Sequence, residues 1–162
     1  MIATSINLTN PQLSNPETAF KVITIVFGAL LVGQVIFLAV IFLIHSQGFE
    51  VNLQSLEVFQ YVGVAATLIG VAVSNILYRT LLKAAFAELD STVKIVRYNA
   101  ATLARLALLE AANLINLVFY LITGYNLFLG TFALGIAAFI LARPQRDTFL
   151  SDLQSSQTTP IG

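Results

Sequence analysis

The chain has no cysteine and one histidine, and only 10% of its 162 residues are charged. Without cysteine there are no disulfides, thiolate metal sites or thiol nucleophiles. A lone histidine, His45, excludes a multi-histidine metal centre within one chain. Soluble domains carry about 25% charged residues. With 57% hydrophobic residues, a water-soluble fold of this length has no way to hide its apolar side chains. Eight basic and eight acidic residues give zero net charge, so nothing in the overall charge favours nucleic acid as a partner. No cofactor is expected either, since no glycine-rich phosphate loop follows a strand. No serine nucleophile with a nearby base stands out, and no carboxylate pair lies within an apolar stretch. The expectation is therefore a protein that is not an enzyme.

A cleavable leader is not expected. Secretory signals need a basic start and a short apolar core of about 7–15 residues. Here the first 20 residues contain no Lys or Arg, and the apolar run from Val22 to Ile44 leads into His45-Ser46-Gln47-Gly48, a poor cleavage site.

Four apolar stretches predict spans at about 22–44, 58–78, 103–122 and 126–142. A helix needs about 20 apolar residues to cross a ~30 Å hydrocarbon core, and the last stretch needs Tyr125 and Asn126 to approach that length. Hydrocarbon admits only helices or closed barrels. These stretches lack the alternation of barrel strands. The predicted fold is an all-α integral membrane four-helix bundle over residues 15–143, with loose cytoplasmic tails at 1–14 and 144–162.

Local signals set the helix ends. Asn15-Pro16-Glu17 suits a helix start. Residues 79–89 stay compatible with helix, and Asp90-Ser91-Thr92 offers an N-cap. The second and third helices should therefore form a long hairpin that projects into the cytoplasm. Gly124-Tyr125-Asn126 should turn the chain, and Arg143-Pro144 should end the fourth helix or kink it.

The basic residues orient the chain. Lys21, Arg79, Lys83, Lys94, Arg97, Arg105, Arg143 and Arg146 all fall on one side of a four-span arrangement, and none falls on the other. Lys and Arg concentrate on the cytoplasmic side, so both termini should be cytoplasmic. Small residues let helices approach closely in lipid. Such stripes occur at Gly63, Thr67, Gly70 and Ser74, at Gly130, Ala133 and Ala137, and at Ala29 and Gly33. Packing within the bundle is the first reading of them, and a homodimer seam is the second.

The third helix is polar on one side. Thr102, Arg105, Glu110, Asn113, Asn116, Tyr120 and Thr123 occupy one arc, opposite Ala104, Ala107, Leu108, Ala111, Ile115 and Val118. Glu110 lies about 10 Å beyond Leu103 at 1.5 Å per residue. A charged carboxylate there costs about 2.5–3.5 kcal/mol even on permissive scales. It should be neutral, paired or wetted. Asn75, Arg79, Asn113 and Gln34 are its candidate neighbours, and Asn116 belongs to the same polar set. Two roles fit: a polar network that fixes helix register, or a proton- or cation-binding carboxylate. Arg105 reads as an interfacial side chain, as does His45.

Two resemblances arise from these residues. Ala107-Leu108-Leu109-Glu110-Ala111 resembles the ion-carrying helix of rotary ATPase proteolipids. It stays local, because that family's glycine-rich first helix and its polar loop with Arg and Pro are absent. Across the whole chain, Glu110, Arg143-Pro144 and Asp152-Leu153 resemble small four-span bacterial membrane proteins of unknown function. That resemblance implies a bacterial inner membrane and no particular activity. The sequence thus points to a non-enzymatic structural, assembly or accessory subunit. The competing expectation is a small, oligomeric proton- or cation-coupled transporter or channel subunit that uses Glu110. Beyond the bilayer, the expected partners are anionic lipid or a protein at the 79–97 hairpin, through Lys83, Lys94 and Arg97, and a second copy of the chain.

Overall fold

The structure is a computed structural model, and it describes residues 16–48, 56–87 and 90–146. The expected tails at 1–14 and beyond 146, and the hairpin tip at 88–89, lie outside the described residues. Four helices follow in order: α1 Pro16–Ser46, α2 Leu56–Phe86, α3 Ser91–Thr123 and α4 Leu127–Leu141. The described residues are otherwise turns and short connections. The first three helices are long and apolar enough to cross a membrane, whereas α4 is shorter.

Local chemistry explains the ends. The Asp90 side chain accepts from the Thr92 and Val93 backbone N–H groups at 2.7 and 3.4 Å, capping α3. It satisfies donors that have no partner inside the helix. At the other end Gly124 takes φ +66°, and its N–H bonds to the Tyr120 carbonyl at 2.8 Å. That left-handed turn favours glycine. Pro144 follows α4 closely, where a residue without an N–H stops helix continuation.

α3 is the hub. It packs against α1, α2 and α4, and α2 also packs against α4. The α1 backbone comes close to α3 alone and not to α2 or α4. Side-chain clusters give the direction of each helix. Ala19 meets Ile95 and Tyr98, Phe27 meets Leu106 and Phe139, and Ile41 meets Leu117 and Phe128. α1 and α3 therefore run parallel, and α2 and α4 run the other way. Phe27 and Phe139 stack with centroids 5.1 Å apart, one of the places where α1 and α4 side chains meet.

This topology gathers the basic residues. The start of α1, the end of α2, the start of α3 and the end of α4 share one end of the molecule. Every Lys and Arg of the chain lies toward that end. An ion pair at 2.8 Å between Arg146 and Glu17 joins two of these termini. Both side chains are exposed, so the pair is worth at most about 1 kcal/mol.

The polarity of the bundle is inverted relative to a soluble one. Gln34, Ser74, Asn113 and Asn116 are fully buried. Ile25, Val35, Ile36, Leu43, Leu68, Ile69, Ile76 and Leu134 are exposed. The apolar stretches of α1 and α2 are mostly exposed, and that of α3 is more buried.

Candidate functional site

The centre of the bundle is a belt of amides and hydroxyls supplied by all four helices. Asn113 Nδ2 of α3 donates to Gln34 Oε1 of α1 at 2.7 Å. One turn along, Asn116 Nδ2 donates to Thr67 Oγ1 of α2 at 2.8 Å, and to the Ala112 carbonyl at 2.9 Å. Thr131 Oγ1 of α4 donates to Asn116 Oδ1 at 2.6 Å. Asn116 therefore binds α2 and α4 through opposite ends of one amide.

Small residues make this approach possible. A Cβ added at Gly63 would meet Phe128 at 2.7 Å and Asn116 Oδ1 at 3.0 Å. One added at Gly70 would meet Ala112 Cβ at 2.7 Å. One added at Gly135 would fall on Asn113 Oδ1. The stripe Gly63, Thr67, Gly70 and Ser74 is thus used up inside the bundle. The stripes at Ala29 and Gly33 and at Gly130, Ala133 and Ala137 are exposed, with nothing near Gly33 or Gly130. α4 instead packs through Phe128, Thr131, Phe132, Gly135 and Phe139.

The Gln34–Asn113 pair is incompletely satisfied. Gln34 Nε2 and Asn113 Oδ1 are buried without hydrogen-bond partners. A buried orphan polar atom costs about 1–3 kcal/mol. The Asn116 group has no such deficit.

Glu110 stands apart from this belt. It is half-buried, and no hydrogen bond or ion pair reaches it among the described residues. The expectation that Asn75 or Arg79 pairs with it is not met. Asn75 Oδ1 instead accepts from Arg105 Nη2 at 2.9 Å, and Asn75 Nδ2 donates to the Val71 carbonyl. Arg79 is exposed on α2. Helical geometry explains this. Arg105 and Glu110 are about 140° apart around α3. The Arg105 side meets α2, while Glu110 shares a stripe with Leu106, Asn113 and Leu117 on the side of α1. Of the expected residues, Gln34, Asn113 and Asn116 come together, Asn75 joins a separate contact with Arg105, and Glu110 and Arg79 join neither.

Three further features were not expected. Arg105, read as an interfacial side chain, lies over the Tyr78 ring at 4.8 Å, and Tyr78 donates to the Tyr98 hydroxyl at 3.5 Å. Lys94, expected on the hairpin surface, is buried over the Phe86 ring at 5.5 Å. Thr131 was also missed, although it is the one polar side chain in α4. At the opposite end, His45 stacks on Tyr120 with centroids 5.0 Å apart, and its Nδ1 is 3.2 Å from the Ile41 carbonyl. No group of three or more His, Asp or Glu residues able to hold a metal occurs among the described residues.

No protein-family model, curated protein or solved structure matches the chain.

Proposed function

We propose that the chain is an integral membrane protein that crosses the bilayer four times, with both termini cytoplasmic. In this reading it serves as a non-enzymatic structural, assembly or accessory subunit. The observation that carries the membrane reading is the inverted polarity. Fully buried amides at the centre and large aliphatic side chains on the outside are stable together only if the surroundings are apolar. In lipid, small residues and interhelical hydrogen bonds hold helices together. Gly63, Gly70 and Gly135, with the Asn116 bonds, supply both. A buried polar belt of this kind would fix helix register, which suits a scaffold.

The basic end supports cytoplasmic termini. Helix lengths support a projecting hairpin. α3 has 33 residues and so a length of about 50 Å, while the 15 residues of α4 give about 22 Å. A ~30 Å core leaves the first turns of α3 outside it, with the end of α2. For α4, the Tyr125–Asn126 turn, Ala142 and local bilayer thinning would close the shortfall. The whole-chain resemblance to small four-span bacterial proteins favours a bacterial inner membrane. Alkaline carbonate washing of membranes should leave the protein in the pellet, and its release into the supernatant would contradict membrane insertion.

The second reading, a proton- or cation-coupled transporter or channel subunit, is favoured by Glu110. This carboxylate has no partner within the described chain, although it lies well inside the predicted third span. Membrane ionisable groups usually pair or serve transport. Glu110→Gln decides between the two. The scaffold reading predicts unchanged stability and no loss of ion flux in proteoliposomes. Loss of a proton-linked flux with folding intact favours transport.

A further inference from the structure

We propose that the cleft between the ends of α2, α3 and α4 is a binding site for a phosphate group, of the kind an anionic phospholipid headgroup carries. The proposal rests on the membrane reading for its lipid source.

The cleft has a volume of about 220 Å³ and is lined by Tyr78, Tyr98, Thr102, Arg105, Arg143 and Gln145. That is ample beside the ~30 Å³ share of one liquid water. Two of the lining residues are arginines and none is a carboxylate. Arg143 is exposed and has no partner among the described residues. Arg105 is held in place by Asn75 and by the Tyr78 ring, yet its Nε is buried without a hydrogen-bond partner. These neutral contacts orient the guanidinium without neutralising it. An anion bound in this cleft would meet the positive charge of both arginines. Guanidinium matches phosphate oxygens through paired N–H donors.

Position agrees with chemistry. The cleft sits where α4 ends at Arg143-Pro144, level with the predicted cytoplasmic boundary of the spans. Tyrosines concentrate at that depth, and basic pockets between helices on the cytoplasmic side suit anionic headgroups. The predicted surface charge of the hairpin is a weaker candidate, because Lys94 is buried.

The test uses the full-length protein purified in a neutral detergent. Its thermal midpoint is followed against phosphatidylglycerol, phosphatidylcholine and inorganic phosphate in turn. A saturable rise with phosphatidylglycerol but not with phosphatidylcholine, whose phosphate is already matched by its own choline cation, identifies an anionic lipid headgroup. A rise with inorganic phosphate alone identifies a free phosphate ligand. In either case Arg143→Gln should weaken binding about tenfold, the scale of a lost charge-assisted hydrogen bond. Arg105→Gln should do the same where it folds, and Arg79→Gln outside the cleft should leave binding unchanged. Equal response to both lipids with none to phosphate, or wild-type binding by Arg143→Gln, overturns the proposal. Carbonate extraction reports separately on the membrane reading, so the two can fail independently.

Discussion

At the residue scale, Asn116 and Asn113 are unequal although they lie one turn apart on the same face. Asn116 satisfies both ends of its amide with Thr67 and Thr131. Interhelical hydrogen bonds in membrane proteins average about 0.6 kcal/mol, with a maximum near 1.7. Asn116→Ala removes two of them, so a loss of about 1–3 kcal/mol is expected in unfolding titrations in mixed micelles. Asn113 and Gln34 form one bond and leave two atoms orphaned. Replacing both with leucine should cost less than the sum of the two single replacements, as a double-mutant cycle in the same assay would show. Gly135→Ala sets a methyl group on Asn113 Oδ1. It should cost about 1–3 kcal/mol through overpacking. Additive single replacements, or a neutral Gly135→Ala, would contradict this picture of the belt.

At the scale of elements, the helices were legible because their end signals are local. Asp90 caps α3 and Gly124 turns out of it, as their chemistry predicts. Asp90→Ala should therefore cost about 1 kcal/mol of stability. Interhelical pairings were only partly legible. A polar arc on α3 could be read from spacing, but its width concealed which member faces which neighbour. Glu110 lies on the flank of that arc toward α1, and Asn75 is turned to Arg105. Sequence spacing fixes angles around one helix and says nothing about where the next helix stands. The small-residue stripes show the same limit. The α2 stripe is packed, whereas Gly130 of α4 has nothing around it. Gly70→Val should destabilise the monomer, because its Cβ lies 2.7 Å from Ala112 Cβ. Gly130→Val should leave the monomer stable. If Gly130→Val lowers the apparent mass by size-exclusion chromatography, the exposed α4 stripe is a dimer seam.

For the whole molecule, apolar length and charge placement say more than any single site. The fold collects every Lys and Arg toward one end, while the far end carries His45, the start of α2 and the α3–α4 turn. That separation and the apolar exterior together underlie the proposed four-span topology. Neither would be expected of a bundle designed for water, where amides face out and leucines face in. What the molecule acts on was not legible, because the central belt holds hydrogen bonds between helices rather than a cavity with reactive groups.

The absence of cysteine allows this topology to be measured without background. Gln47→Cys and Lys83→Cys, one at each end of the bundle, can be labelled in intact cells with a membrane-impermeant thiol reagent. The account predicts that Gln47→Cys reacts directly and that Lys83→Cys reacts only after the membrane is opened. Labelling of both in intact cells, or of Lys83→Cys alone, would contradict it.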